Sequence, residues 1–247
     1  MTMMANSGSL GGGTVEDTQW PMVLGARRDG PERARALEEL CTSYWRPIYC
    51  FLRRRGNSSH DSEDLTQGFF VHITGGDFLD RPDPSKGRFR GFLLSALRQY
   101  LGSHFERENA RKRGGGARFI AWDSADAEAE YGSLEATHRD PADIFETSWA
   151  LSLLGRALAR LRDEQAAAGK RASFEALSPF ISATPTRGDY ERVGRLLGAS
   201  RTTVAVWVHR LNHRYAELVR LEVASTVQDP SEIPAEMQHL LEALRAR

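Results

Sequence analysis

The chain has few features of a membrane, secreted or disulfide-stabilised protein. No apolar run approaches the ~18 residues of a membrane span, and no basic stretch followed by an apolar one marks a secretory signal at the N-terminus. The only cysteines, Cys41 and Cys50, lie in apolar, helix-like surroundings, so reduced packing cysteines are favoured over a disulfide or a metal site. We expect a cytoplasmic protein that has no membrane partner.

Sequence patterns of catalysis and cofactor binding are also missing. The chain has no nucleophile elbow, no HExxH and no convincing pair of carboxylates. Gly114–Gly116 lacks the Gly-Lys-Ser/Thr ending of a phosphate-binding loop. The two histidines of the acidic segment, His60 and His72, are twelve residues apart, which is not the spacing of a helical pair of metal ligands. The sequence therefore predicts a protein that is not an enzyme and that needs no cofactor or metal.

No run of strand length alternates between polar and apolar residues, and apolar residues instead recur three and four apart. We therefore predict an all-α fold of two helical domains joined by an acidic linker. The predicted divisions are a disordered N-terminus (1–19), a helical bundle (20–113), the linker (114–145), a helix-turn-helix domain (146–225) and a C-terminal extension (226–247).

Within these divisions, the pattern predicts particular helices and interruptions. The first domain should begin with a helix pair that is bent or restarted around Pro47. Further helices are expected over Phe89–Arg113, 144–168 and Pro234–Leu244. The linker is expected to hold at most a short ordered piece around Phe119–Trp122.

The formal net charge is zero, but the charges are unevenly distributed. Residues 86–118 contain nine Lys or Arg and two acids, residues 123–146 contain eight acids and one Arg, and residues 187–220 contain seven Arg and three acids. Two basic blocks separated by an acidic one favour two modules that face polyanions and a connector between them.

The stretch Tyr190–Tyr215 is typical of a helix-turn-helix. Gly198 can adopt the left-handed conformation that ends a helix, and Ser200 can cap the next one. Gly194, one turn before Gly198, would allow a crossing helix to approach closely. The predicted inner faces are Tyr190, Val193 and Leu197 on the first helix, and Val204, Trp207, Val208, Leu211 and Tyr215 on the second. The alternative is an ordinary helical hairpin with a solvated face.

The other face of the second helix carries side chains that contact bases and phosphates in DNA complexes. The predicted duplex-binding residues are Arg201, Thr202, Thr203, Val206, His209, Arg210 and His213.

Arginines interleave with aromatics along the predicted helix Phe89–Arg113, a combination that suits single-stranded nucleic acid. An amphipathic core helix with a basic end is the alternative, and the two are compatible. The basic triplet Arg53–Arg55 has the same two interpretations, a helix C-terminus or a nucleic-acid contact. The predicted DNA-binding residues of the basic aromatic helix are Arg90, Arg98, Gln99, His104, Arg107, Arg111, Lys112 and Arg113.

Three motifs, in this order, resemble the sigma factors of bacterial RNA polymerase. They are Asp61–Phe70, Phe89–Leu94 and Leu197–Val204. The similarity is to the short extracytoplasmic-function (ECF) type, which keeps only the second and fourth conserved regions. It extends over about residues 20–225, and the tail beyond it resembles those of a divergent branch.

This resemblance implies a division of labour along the chain. The helix containing Asp64, Leu65, Gln67 and Phe70 would dock on core RNA polymerase. The basic aromatic helix would bind and melt the minus-ten promoter element, and the helix-turn-helix would read the minus-thirty-five element. An anti-sigma factor or another regulator is a further possible partner. The charge of residues 123–146 suggests, as a hypothesis, a linker that mimics nucleic acid.

Two other functions remain open at this point. A stand-alone helix-turn-helix regulator would need dimer symmetry, and the sequence shows no heptad or obvious dimer helix. A sigma-like protein-interaction module without promoter activity is favoured by Gln99 and Trp207, which depart from the family pattern. The C-terminal extension is either a regulatory element or a helix packed on the fourth region.

Overall fold

The computed structural model describes residues 31–75, 78–80, 88–110, 124–135, 140–227 and 229–245. These residues form helices and no strand, which confirms the all-α class. Short 3₁₀ turns occur at Phe78–Asp80 and Pro230–Glu232. The predicted disordered N-terminus lies outside the described residues. The helices are α1 (Pro31–Arg54), α2 (Ser59–Thr74), α3 (Phe89–Ala110), α4 (Ser124–Glu135), α5 (Pro141–Ala167), α6 (Arg171–Leu177), α7 (Pro179–Ser182), α8 (Asp189–Leu197), α9 (Arg201–Ala224) and α10 (Ile233–Arg245).

Helix α1 continues through Pro47, so the predicted interruption at this residue is wrong. A proline inside a helix removes the hydrogen bond to the carbonyl four residues earlier and costs about 3 kcal/mol. Packing offsets this cost, because Pro47 is buried and its neighbours Tyr44, Ile48 and Phe51 are almost fully excluded from solvent. Tertiary contacts therefore decide the conformation here against the local preference.

Helix α5 is the longest described helix, with 27 residues, and lies against both α1 and α9. Its N-terminus is well defined: Pro141 occupies the first turn, and the Asp140 side chain accepts a hydrogen bond from the Ala142 amide. Phe145 and Trp149 are fully buried along it. Helix α5 thus supplies core residues to the N-terminal helices and to the helix-turn-helix.

The predicted linker contains a helix, α4, and also includes the first turn of α5, so the expectation of one short ordered piece is wrong. Ala127, Tyr131 and Leu134 form a buried stripe on α4 that faces the core. These apolar residues recur every three to four positions, but the acids between them mask the pattern. The expected ordered piece at Phe119–Trp122 lies outside the described residues.

Helix α10 confirms the predicted C-terminal helix, and it packs against α5 and α9. One buried cluster runs from Ala36 on α1 to Leu240 on α10 and includes residues of the helix-turn-helix. The predicted division into two domains therefore stays a prediction, because the core of the described residues is continuous.

Candidate nucleic-acid interface

Helices α8 and α9 form a helix-turn-helix whose turn is built as the sequence predicts. Gly198 ends α8 in the left-handed conformation, with φ 65° and ψ 33°. Ser200 begins α9, and its side chain accepts a hydrogen bond from the Thr203 amide at 3.1 Å. The turn is therefore only three residues long and fixes the angle between the two helices.

The predicted inner faces of both helices are confirmed. Val193 on α8 and Val204, Val208 and Leu211 on α9 are buried, and the remaining predicted residues are partly buried against the core. The Tyr215 hydroxyl donates a hydrogen bond to the Leu154 carbonyl on α5 at 3.2 Å. Helix α9 is thus attached to α5 by one face, and its opposite face points to solvent.

Gly194 sits under the turn, where the backbone comes closest to α8. The Ala199 amide donates to the Gly194 carbonyl at 2.8 Å, and a Cβ atom at position 194 would lie 2.5 Å from the Ala199 carbonyl oxygen. The prediction that a crossing helix approaches Gly194 is therefore wrong, because the group that comes close is the backbone of the turn. A backbone oxygen cannot rotate away as a side chain would.

We expect Gly194→Ala to lower the free energy of unfolding by about 1–3 kcal/mol, because the added methyl group forces the turn to shift. Duplex DNA binding should weaken with it, since the angle between α8 and α9 changes. Gly155→Ala on α5 is the matched control: nothing lies within 4 Å of its Cβ position, so the substitution should stabilise the helix by about 0.5–1 kcal/mol. Urea denaturation measures the free energy of unfolding of the two variants. Equal effects of the two substitutions would contradict this account.

The predicted duplex-binding residues lie on the solvent side of α9 or at its N-terminus. Val206 is 43% exposed. Thr203 is half-buried, and its hydroxyl lies 2.8 Å from the Ser200 hydroxyl in the cap. The other exposed predicted residues are Arg201, Thr202, His209, Arg210 and His213. Six of the seven predicted side chains can thus reach a ligand without rearrangement of the helix.

Ion pairs and hydrogen bonds shape the charge around this face. Arg201 pairs with Glu191 on α8 at 3.2 Å, and His213 lies 3.4 Å from Glu217. At the start of α8, the Thr186 hydroxyl and amide, and then Arg192, hold the pKa of Asp189 at about 2. The side chain of Arg210 forms no ion pair or hydrogen bond with the described residues, so its charge is available to a partner.

Arg90 is the clearest correction among the predicted DNA-binding residues. Its side chain is only 4% exposed, and its guanidinium lies between Glu146 on α5 and Glu236 on α10. It also stacks on the Trp149 ring, 4.2 Å from the centroid. Burial alone would lower the pKa of Arg90, but the two carboxylates together hold it above its usual value. Arg90 therefore binds other parts of the chain and offers no charge to DNA.

Glu236 is completely buried at the centre of this cluster. It pairs with Arg90 and also with Arg88, whose Nε lies 2.8 Å from its carboxylate. Glu146 is shared between Arg90 and His239, at 2.8 and 3.0 Å. The cluster joins α3, α5 and α10, which are far apart in the sequence. The individual residues carry no local signal of this pairing.

The other predicted residues of the basic aromatic helix have mixed positions. Arg98 and Gln99 are exposed on α3, and His104 is half-buried with its ring 5.6 Å from that of Tyr100. Arg107 lies on the described backbone of α3, and its side chain is not described. Arg111, Lys112 and Arg113 lie outside the described residues. Two of the eight predicted side chains are thus placed on an accessible surface.

The four predicted polymerase-docking residues on α2 do not form one surface. Asp64 is exposed, with its carboxylate 3.7 Å from His60, and Gln67 is half-buried. Leu65 and Phe70 are buried in the core. The side chain of Ser58 caps the N-terminus of α2 and accepts a hydrogen bond from the Asp61 amide. Only the polar pair can contact a partner while α2 remains packed.

The acidic helix α4 pairs with basic residues of α1, a contact that sequence reasoning missed. Glu128 accepts two hydrogen bonds from Arg53, at 2.7 and 2.8 Å, which hold the pKa of its carboxyl below the usual range. Arg46 lies 3.0 Å from Asp126 and 3.6 Å from Glu130. Asp126 and Glu130 are four residues apart on one face of α4, and Arg46 offsets the repulsion between them. Arg53 is thus occupied within the chain.

Within the described residues, no group of three or more His, Cys, Asp or Glu side chains is arranged to hold a metal ion. No described helix combines the length and the apolar character needed to cross a bilayer.

Comparison with protein-family models, with curated proteins and with solved structures found no match. Functional assignment therefore depends on the residues and geometry of the chain itself.

Proposed function

We propose that the chain is a sigma-type transcription initiation factor of the extracytoplasmic-function kind, with no catalytic activity of its own. It acts in the bacterial cytoplasm, binds core RNA polymerase and directs it to promoter DNA. Helix α9 reads the duplex minus-thirty-five element, and the exposed part of α3 contacts the minus-ten element during melting.

The helix-turn-helix is the observation that carries this proposal. Its three-residue turn is fixed by Gly198 and Ser200, and one face of α9 is held against α5. The other face presents Arg201, Arg210 and Thr202 to solvent near the N-terminal half of α9. Recognition helices contact base edges with their N-terminal residues. The order of the three sigma-like motifs along the chain is the reason that we include RNA polymerase as a partner.

A stand-alone DNA-binding regulator is the second candidate, and the buried position of Arg90 favours it. This arginine is the first charge of the sigma-like motif Phe89–Leu94, yet it is paired with Glu236 and Glu146. A chain with this arrangement can bind duplex DNA through α9 alone. The second candidate and the proposal therefore differ in whether polymerase is required.

Reconstitution with purified core RNA polymerase separates the candidates. The proposal predicts a complex on gel filtration and specific transcripts from genomic fragments that core enzyme alone does not transcribe. Duplex DNA binding without a polymerase complex would establish the stand-alone regulator instead. A polymerase complex that yields no specific transcripts would establish the interaction module.

We expect Arg210→Ala to weaken duplex DNA binding by about 1–3 kcal/mol if the guanidinium contacts a base, because this exposed charge has no partner within the described chain. If the guanidinium contacts a phosphate instead, its loss should weaken binding to all sequences alike and reduce the slope of log K against log salt concentration by about one. Arg220→Ala is the control: Arg220 is also exposed on α9, but it lies near the C-terminal end of the helix. Fluorescence anisotropy at several salt concentrations measures both. Equal losses in the two variants would remove Arg210 from the reading face.

A further inference from the structure

A cleft lies beside the attached face of α9, between this helix and α6, and encloses about 290 Å³. Helix α9 contributes Trp207, Arg210, Leu211 and Arg214 to its lining. The last three follow Trp207 by three, four and seven residues, so all four lie on one face of the helix. The segment 170–177 contributes its lining residues at the same spacing. Two helical faces therefore meet across an open volume that the core does not fill.

The floor of the cleft is apolar and aromatic. Phe174, Leu177 and Leu211 are buried there, with 5–7% of their surface exposed. Trp207 is only half-buried, so part of its indole ring lies open to the cleft. A flat apolar ligand can stack on this ring and remove the exposed apolar surface from water.

The rim of the cleft is cationic. Lys170, Arg210 and Arg214 line it, and no acidic side chain is among the lining residues. Arg214 is already neutralised, because Glu164 accepts two hydrogen bonds from it at 2.8 and 2.9 Å. Neither of the other two cations forms a side-chain ion pair or hydrogen bond with the described residues. Two free positive charges thus stand above an aromatic floor.

We propose that this cleft binds a small aromatic carboxylate, with the ring between Trp207 and Phe174 and the carboxylate between Lys170 and Arg210. Binding sites for small molecules are concave and mostly apolar, with a few converging polar groups that set the orientation. The volume is at the lower end of the range for such sites, which limits the ligand to one or two rings. Charge-assisted hydrogen bonds to a carboxylate are stronger than those between neutral groups.

Calorimetric titration of the full chain with 2-naphthoate, in the absence of DNA, tests this assignment. We expect one site per chain and a Kd of about 1 mM or tighter for a ligand of this size. The neutral isostere 2-naphthalenemethanol should bind about tenfold more weakly or not at all, because it cannot pair with the two cations. No saturable binding of 2-naphthoate, or equal binding of the alcohol, would overturn the proposal.

Substitutions in the cleft test whether the ligand binds there. Ser173→Trp fills the volume and should abolish binding, and Lys170→Gln should weaken it several-fold. Arg171→Gln is the matched control, since Arg171 is 78% exposed, pairs with Glu175 and does not line the cleft. Thermal unfolding verifies that each variant remains folded. Binding that survives both cleft substitutions, or that is lost equally in the control, would assign the ligand to another place.

A second readout rests on the proposed function, because Arg210 belongs to both the cleft and the DNA-reading face. A carboxylate paired with Arg210 withdraws its charge from DNA, so 2-naphthoate and duplex DNA should weaken each other by the same factor. The ligand should have no such effect on the Arg210→Ala variant. Absence of any DNA binding would count against the proposed function and would leave the calorimetric result standing. DNA and ligand that bind independently would show that Arg210 does not hold the carboxylate.

Discussion

Replacing Glu236 with alanine is expected to lower the free energy of unfolding by about 3–5 kcal/mol, one of the two largest effects predicted for this protein. The substitution removes the fully buried partner of Arg90, whose side chain is itself only 4% exposed. Breaking this buried ion pair on one side is costly because Arg90 then keeps only the partly exposed Glu146 as a partner, in a medium that solvates its charge poorly. Chemical denaturation of the full chain measures the loss.

Two further variants define the origin of that loss. Glu242→Ala, in the same helix but exposed, should change stability by less than about 0.5 kcal/mol. Replacing Arg90 and Glu236 together with leucine should cost less than Glu236→Ala alone, since both buried charges then disappear. Equal costs for Glu236→Ala and Glu242→Ala would mean that the ion cluster does not hold α10 in place.

Phe145→Ala is expected to cost about 3–5 kcal/mol, the range for large-to-small substitutions of buried aromatics. Phe145 is fully buried on α5, and its ring stacks on that of Tyr44 on α1 with centroids 6.4 Å apart. The lost volume lies where the two predicted domains meet. The cavity should therefore weaken the contact between them.

The shape of the unfolding transition adds a second result. Circular dichroism and tryptophan fluorescence should give coincident curves if the continuous core unfolds as one unit. Leu158→Ala on the same helix, at a side chain 38% exposed, should cost less than about 1 kcal/mol. Two separate transitions, with Phe145→Ala moving only one of them, would show that the halves of the core are independent.

The features that the sequence predicted correctly are local ones. The turn of the helix-turn-helix follows from Gly198 and Ser200, because each residue determines the backbone within a few positions of itself. The inner face of α9 follows from a similarly local signal, the spacing of its apolar residues by three and four positions. These predictions needed no knowledge of distant contacts.

The features that were predicted wrongly depend on partners far along the chain. Arg90 looks like a surface cation until Glu236, 146 positions later, is placed beside it. Pro47 looks like a helix break until the core around it is known. The sequence of α4 looks like linker because acids dominate its composition, although Arg46 and Arg53 on α1 pair with two of them. In each case a tertiary contact outweighs a local preference.

The length of α5 has a consequence for any protein that acts as proposed. Its 27 residues rise about 40 Å, whereas promoter elements centred about 25 base pairs apart are separated by about 85 Å of duplex. Helix α5 alone therefore spans less than half of that distance. If α3 and α9 are to reach both elements at once, the α1–α5 contact has to separate on the promoter, and the apparent DNA affinity then falls in proportion to the fraction of molecules in which this contact is already open. Substitutions that loosen this contact would strengthen promoter binding even as they weaken the fold.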